Sequence, residues 1–200
     1  MLDLIPPFPE LVDLDRSHQP LLGALLRDLQ PQTSELTFTN LYIWRHAYGA
    51  KLTRLGEVIC LFSWRADPED SFLLPPLGAG AGVEHVRRGL DLLAEQGHNP
   101  RLCRLDQAGR ERLGLTAAEF DLETDRDNWD YVYRVRDLID LPADQYREKL
   151  QHLRTFTRKF PYEYRRITPD LVPACQELQD LWCERSTAIC TPVCGPRRGP

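Results

Sequence analysis

The stretch TDRDNWDYVYRVRDLIDLPADQYREKLQHLRTFTRKFPYEYRR, Thr124–Arg166, carries the densest run of hydrogen-bonding, stacking and charged groups in the chain. It opens on DRDNWDYVY. From Asp130 to Arg136 apolar and polar residues alternate, with Tyr131, Tyr133 and Val135 on one face and Val132 on the other, which reads as a strand. Pro142 and Asp144 introduce a helix to about Phe160, in which Tyr146, Leu150, Leu153, Phe156 and Phe160 fall on one apolar stripe at 3.6 residues per turn. Arg147, Arg154 and Arg158 line up on a separate, exposed side. Tyr162–Ile167 reads as a second strand.

Two residues of that helix sit oddly. Lys149 projects into the apolar arc between Phe156 and Phe160, and His152 lies just beyond its edge. A lysine so placed either lays its methylenes along a core and carries its ammonium to water, or points into a cleft to meet an anion. An arginine stripe by itself is more often a solvated helix face than a binding site.

Beyond this stretch the chain reads as a globular protein. It has 200 residues, 42% of them apolar, enough for one large domain or two small ones. No window approaches eighteen uninterrupted apolar residues, and the start MLDLIPPFPELVDLD has acids and prolines where a secretory signal needs a basic, then apolar run, so the expected compartment is the cytoplasm with no transmembrane segment. The net charge of -5 excludes a chain-wide electrostatic grip on nucleic acid. Between Gln145 and Arg166, however, seven Lys or Arg face two acids, so one face can attract anions while the remainder repels them.

The six cysteines form no CxxC pair. Cys60 and Cys103 lie in strand-like apolar runs and Cys175 on the apolar side of an expected helix, where reduced thiols act as small hydrophobes. Cys190 and Cys194 are separated by three residues and lack the neighbouring histidines that a zinc site needs; no metal site is expected.

In chain order, Ser17 is placed to cap a helix to about Leu29, with Pro20 in its first turn. Thr37–Tyr48 reads as a short helix on the three-residue spacing of Phe38, Leu41 and Trp44. Lys51–Arg54 and Glu57–Trp64 flank Leu55-Gly56 as a hairpin whose second strand, VICLF, is apolar enough to be central. Short strands are expected at Ser71–Leu74, Arg101–Leu105 and Phe120–Glu123, with helices over Val83–Gln96 and from Asp106 to Leu113. The turn LGAGAG, Leu77–Gly82, has the setting of a phosphate loop but neither nucleotide-binding spacing, and reads chiefly as a flexible connection. Thr168-Pro169-Asp170 starts a helix carrying Leu171, Cys175, Leu178 and Trp182. After Arg185 the composition changes to an aperiodic STAICTPVCGPRRGP, expected to be disordered. These elements predict an α+β fold with a mixed sheet and flanking helices.

TNLYIWRHAYG (Thr39–Gly49), FLLPPLG (Phe72–Gly78), DRDNWDYVY (Asp125–Tyr133), the helix around Lys149–Phe156 and FPYEYRRITP (Phe160–Pro169) resemble, in this order, a bacterial family of unknown function similar to the C-terminal domain of phosphatidylglycerol lysyltransferase. The resemblance runs from about Leu2 to Arg185. It implies tandem acyl-CoA N-acyltransferase-like (GNAT) halves, as in aminoacyl-tRNA-dependent transferases: a first half over residues 1–124, the beginning of a second over 125–185, and the tail 186–200. The family's basic helix usually reads like KKRNHIN; Lys149 and His152 match it, whereas Leu150 and Gln151 replace its arginine and asparagine. Family members continue for about another hundred residues, so the composition break after Arg185 reads as an altered frame or a fragment, and the chain as one whose second half is incomplete and whose activity is in question.

The functional reading is therefore an acyl or aminoacyl transferase with no permanently bound cofactor, taking aminoacyl-tRNA or acyl-coenzyme A as donor and a lipid head group or peptide as acceptor. Asp127, Asp130 and His152 are its candidate proton acceptors, and Asn128, Trp129, Tyr131, Lys149, His152, Arg154 and Arg158 its candidate substrate contacts. The alternative is a non-catalytic RNA or anionic-ligand module using the basic helix 145–160, with Tyr146, Tyr162 and Tyr164 for stacking.

Overall fold

The computed structural model describes residues 2–185. The tail 186–200, with Cys190 and Cys194, lies outside the described residues. Four strands form one sheet in the order of the chain: β1 (Val12–Asp13), β2 (Lys51–Leu55), β3 (Val58–Ser63) and β4 (Phe72–Leu73), each antiparallel to its neighbour. Two residues form the turn between β2 and β3, and Gly56 holds φ at 64° there. The mixed sheet expected from the sequence is thus antiparallel throughout its named strands; parallel pairing survives only as the isolated bridges Pro7–Arg54 and Leu73–Leu102.

All six residues of β3 are buried. Its side chains alternate between two apolar layers, as period-two geometry requires. Ile59 and Leu61 join Leu22 and Leu26 of α1 (Gln19–Leu29) and Leu41 of α2 (Phe38–Ile43). Val58, Cys60 and Phe62 face the other way, onto Val86, Leu92 and Leu93 of α4 (Val83–Glu95) and Leu113 of α5 (Gln107–Leu113). Between α2 and β2 lies the one-turn helix α3 (Arg45–Tyr48). The sheet is consequently covered on both faces, which is why VICLF can be continuously apolar. Each large side chain so buried contributes roughly 1.5–3 kcal/mol.

Local chemistry explains the helix starts. Thr37 caps α2 by accepting from Asn40 N at 3.2 Å, and Asp106 caps α5 by accepting from Gly109 N at 2.6 Å. The expected Ser17 cap of α1 does not form; Asp15 caps a 3-10 turn just ahead of it, and α1 itself has no side-chain cap. Asp15 accepts from the backbone N and hydroxyl of Ser17 at 2.8 and 2.6 Å, a short 3-10 turn over Arg16–His18 follows, and α1 begins at Gln19. A carboxylate wins because it accepts both bonds at once.

Several expected strands do not form. Arg101–Leu105 contributes only the bridge of Leu102 to Leu73, and Phe120–Glu123 is irregular. Both segments belong to the first of two compact units, which runs to Asp130; the second begins at Tyr131.

Among the described residues the second unit contains three α-helices and no strand: α6 (Val135–Asp140), α7 (Ala143–Lys159) and α8 (Val172–Arg185), the last preceded by a 3-10 turn at Pro169–Leu171. Neither strand expected at Asp130–Arg136 or Tyr162–Ile167 forms: residues 130–134 and 162–167 are unpaired chain, and Val135 and Arg136 open α6. α7 spans the expected range, but its backbone leaves the helical region at Tyr146 (φ -119°, ψ 27°). Its apolar stripe is not a core stripe, since Leu153, Phe156 and Phe160 are each about half exposed. Cys175, expected to pack inside, is also exposed. No helix among the described residues is long and apolar enough to cross a membrane.

Candidate functional site

Two polar arrays stand out, one in each unit. In the first, α5 and a following loop lead into residues 121–130, all exposed, whose only regular feature is a 3-10 turn over Arg126–Asn128. Carboxylates anchor this segment at two points. Asp125 meets the Arg104 guanidinium at 3.2 Å and also accepts from Asn128 Nδ2 at 2.7 Å. Asp130 accepts from Ser34 twice, from the backbone N at 2.7 Å and from the hydroxyl at 2.5 Å. Those bonds, the hydroxyl's first, hold the Asp130 carboxyl below its ordinary value.

Arg104 is itself constrained. Its φ is 61°, a conformation uncommon for a residue with a Cβ, its side chain is only 17% exposed, and its guanidinium lies 5.5 Å from the Phe72 ring centroid. Beside it Glu35 is half-buried. Desolvation pushes its carboxyl up, nearby Arg104 opposes this, and Asp130 reinforces it. Cys103 is likewise half-buried, its thiol raised by burial against the pull of Arg101 and Arg104. The Thr33 hydroxyl oxygen is buried without a hydrogen-bond partner.

The candidates from DRDNWDYVY divide accordingly. Asn128 and Asp130 are bonded as described, and Trp129 lies under the Arg126 guanidinium, 5.0 Å from its centroid. Asp127 is exposed and makes no hydrogen bond or ion pair among the described residues. Tyr131 is 88% exposed and opens the second unit. Ser34, Glu35 and Arg104 had no signal in the sequence, because each gains its role only from partners up to 96 residues away.

In the second unit α7 sets Arg147, Arg154 and Arg158 one and two turns apart on one side, so that with Ala143, Leu150, Gln151 and Thr155 they line an open recess of about 460 Å³. None of these arginines pairs with an acid among the described residues, nor does Lys149. Arg165, by contrast, meets Glu163 at 2.5 Å. Lys149 and His152 are both exposed. Phe156 stacks obliquely with Phe160 and Tyr162 at centroid separations of 5.3 and 5.6 Å, forming an aromatic patch on the same helix and the chain after it. An unpaired arginine row over a partly apolar floor suits an extended anion with planar groups.

Cysteine chemistry offers little here. Cys60 is buried and its thiol pushed up to about 12 by desolvation, so it holds almost no thiolate near neutrality.

Comparison with known proteins then bears on these arrays. A family described as phosphatidylglycerol lysyltransferase, C-terminal, matches residues 26–192. Among solved structures, a conserved protein of unknown function from Bacteroides thetaiotaomicron VPI-5482 is similar in fold, with a TM-score of 0.71 at 24% identity over 88% of this chain. The chain spans 60% of that protein's length. No curated protein matches.

Proposed function

The chain belongs to the phosphatidylglycerol lysyltransferase C-terminal family, and from that membership we propose that it serves aminoacyl transfer from a charged tRNA to a lipid head group. In this reading residues 1–124 and 125–185 are related GNAT-like halves. The acceptor hydroxyl attacks the ester carbonyl of the donor; its oxygen forms the new acyl bond, the ester bond to the tRNA ribose breaks, and the acceptor's proton passes by a base to the departing ribose oxygen. Asp127 and His152, exposed and able to accept, are the proposed bases. Asp130, with both oxygens occupied by Ser34, positions its segment instead. Transfer is taken as direct; Cys60 and Cys103, whose thiols burial raises, are poor nucleophiles for an acyl-enzyme.

The observation that carries the reading is the unpaired row Arg147, Arg154 and Arg158 on α7, which supports a grip on the donor's phosphates. Lys149 and His152 lie on the other side of α7 from this row, and they, with Tyr131, Asn128 and Trp129, are proposed as further substrate contacts. Three phosphate contacts give a log–log salt slope of roughly -2 for a single-stranded acceptor end. Reversing charge in an R154E/R158E variant should remove about two-thirds of that slope, read by fluorescence anisotropy of labelled tRNA. An unchanged slope excludes α7 as the grip.

The exposed Phe156, Phe160 and Tyr162, with Lys149 on the same side of α7, favour one further reading, a non-catalytic RNA or anionic-ligand module. Salt-dependent binding without transfer from either aminoacyl-tRNA or acyl-coenzyme A is its signature.

A further inference from the structure

Segment 121–130 has the make-up of a moving part rather than a packed one. It is exposed throughout and takes no part in the sheet. What ties it down is two carboxylates reaching back to distant residues, Asp125 to Arg104 and Asp130 to Ser34. The residues it is tied to adjoin a set of polar groups that a closed fold serves badly. Among the described residues Thr33 Oγ1 is buried without a partner, and Glu35 is half-buried without a hydrogen bond. Cys103 is half-buried next to Arg104, close enough to feel Asp125. An orphaned hydroxyl and a desolvated carboxylate each cost free energy that water or a ligand would recover.

We propose that residues 121–130 form a strap closed over the polar groups Thr33, Glu35 and Cys103, and that the Ser34–Asp130 pair is the clasp whose release exposes them. In the closed state Asp125 also occupies the Arg104 guanidinium, so opening frees a cation beside these groups. The opposing forces are comparable in kind. A few exposed, charge-assisted bonds favour closure, and rehydration of Glu35 and Thr33 favours opening.

Cys103 reports on the strap, because neither Ser34 nor Asp130 is among the charges acting on its thiol. Full-length protein is treated with N-ethylmaleimide, and each cysteine is followed by peptide mass spectrometry. Cys60, buried, registers unfolding of the unit, and Cys175, exposed, registers reagent strength. S34A and D130N should each speed modification of Cys103 several-fold, roughly three- to tenfold for the loss of exposed charge-assisted bonds, and leave Cys60 unmodified. An oxidised S34C/D130C pair should slow Cys103, with the rate restored on reduction. The proposal is overturned if Cys103 reacts at the same rate in all these forms. It is equally overturned if Cys60 accelerates in step with Cys103, since the strap would then not move apart from the unit.

Discussion

Replacing Gly49 by alanine should be among the most damaging small changes available in this chain, and the reason can be separated into two parts. Gly49 closes α3 in the left-handed region, φ 57° and ψ 44°, and a Cβ built there would lie 2.1 Å from the carbonyl oxygen of Trp64. That oxygen belongs to backbone held by the bond from Trp64 N to Tyr48 O at 2.8 Å, at the end of fully buried β3, so it cannot yield as a side chain could. Gly56 supplies the control. Its φ is 64°, but a Cβ there meets nothing within 4 Å. Both alanines incur the left-handed cost of about 1–2 kcal/mol. Only G49A adds displacement of a strand end, for which overpacking suggests a further ~1–3 kcal/mol. The assay is urea unfolding followed by circular dichroism, with hydrogen exchange of the β3 amides to localise the loss. G49A should exceed G56A by at least ~1 kcal/mol, with β3 exchange accelerated only in the former. Equal losses would refute the steric argument and the packing of the α3 turn on β3.

Other outcomes follow from the same structure. F62A should cost about 3–5 kcal/mol, since Phe62 is fully buried between β3 and α4, and calorimetry checks it. Cys60 should resist Ellman's reagent until unfolding. Because its folded pKa of about 12 lies above the unfolded value, stability is unaffected below pH ~8 and falls as the unfolded thiol ionises between roughly pH 9 and 12, a fall absent in C60A. E35Q should stabilise the fold at pH 7, because the raised carboxyl of Glu35 makes its ionised form unfavourable there. The gain should vanish in urea melts below pH ~4, where the wild-type side chain is already neutral. D15A should destabilise by about 0.5–2 kcal/mol near neutrality, and by less as acid protonates the carboxyl, whose lowered pKa makes its contribution present above the usual value and lost as pH falls.

How legible the molecule was in its sequence depended on how far apart the deciding residues lie. VICLF announced a central strand because both of its faces are apolar, and Asp106 marked a helix start by chemistry confined to a few residues. Asp130–Arg136 and Tyr162–Ile167 alternate just as well, yet neither pairs, and Val135 and Arg136 turn into α6 instead, because alternation describes a face and a strand needs a partner edge as well. The same limit applied to the site. The α7 arginines could be lined up from helical period alone, whereas the contacts of Asp130 with Ser34 and of Asp125 with Arg104 join residues 96 and 21 positions apart. No local pattern foreshadows such pairs, and the left-handed backbone of Arg104 is equally silent in a sequence where glycine is the usual signal.

The account rests most heavily on aminoacyl transfer, and one measurement meets it head on. The full chain is incubated with tRNA charged with radiolabelled lysine and with vesicles containing phosphatidylglycerol, and label in the extracted lipid is counted over time, with parallel arms for other charged amino acids and for labelled acyl-coenzyme A. The account predicts label entering the lipid from at least one aminoacyl-tRNA, at a rate lowered by R154E/R158E. Lipid that stays unlabelled with every aminoacyl-tRNA, while the protein remains folded and monitored by its protected Cys60, would contradict it.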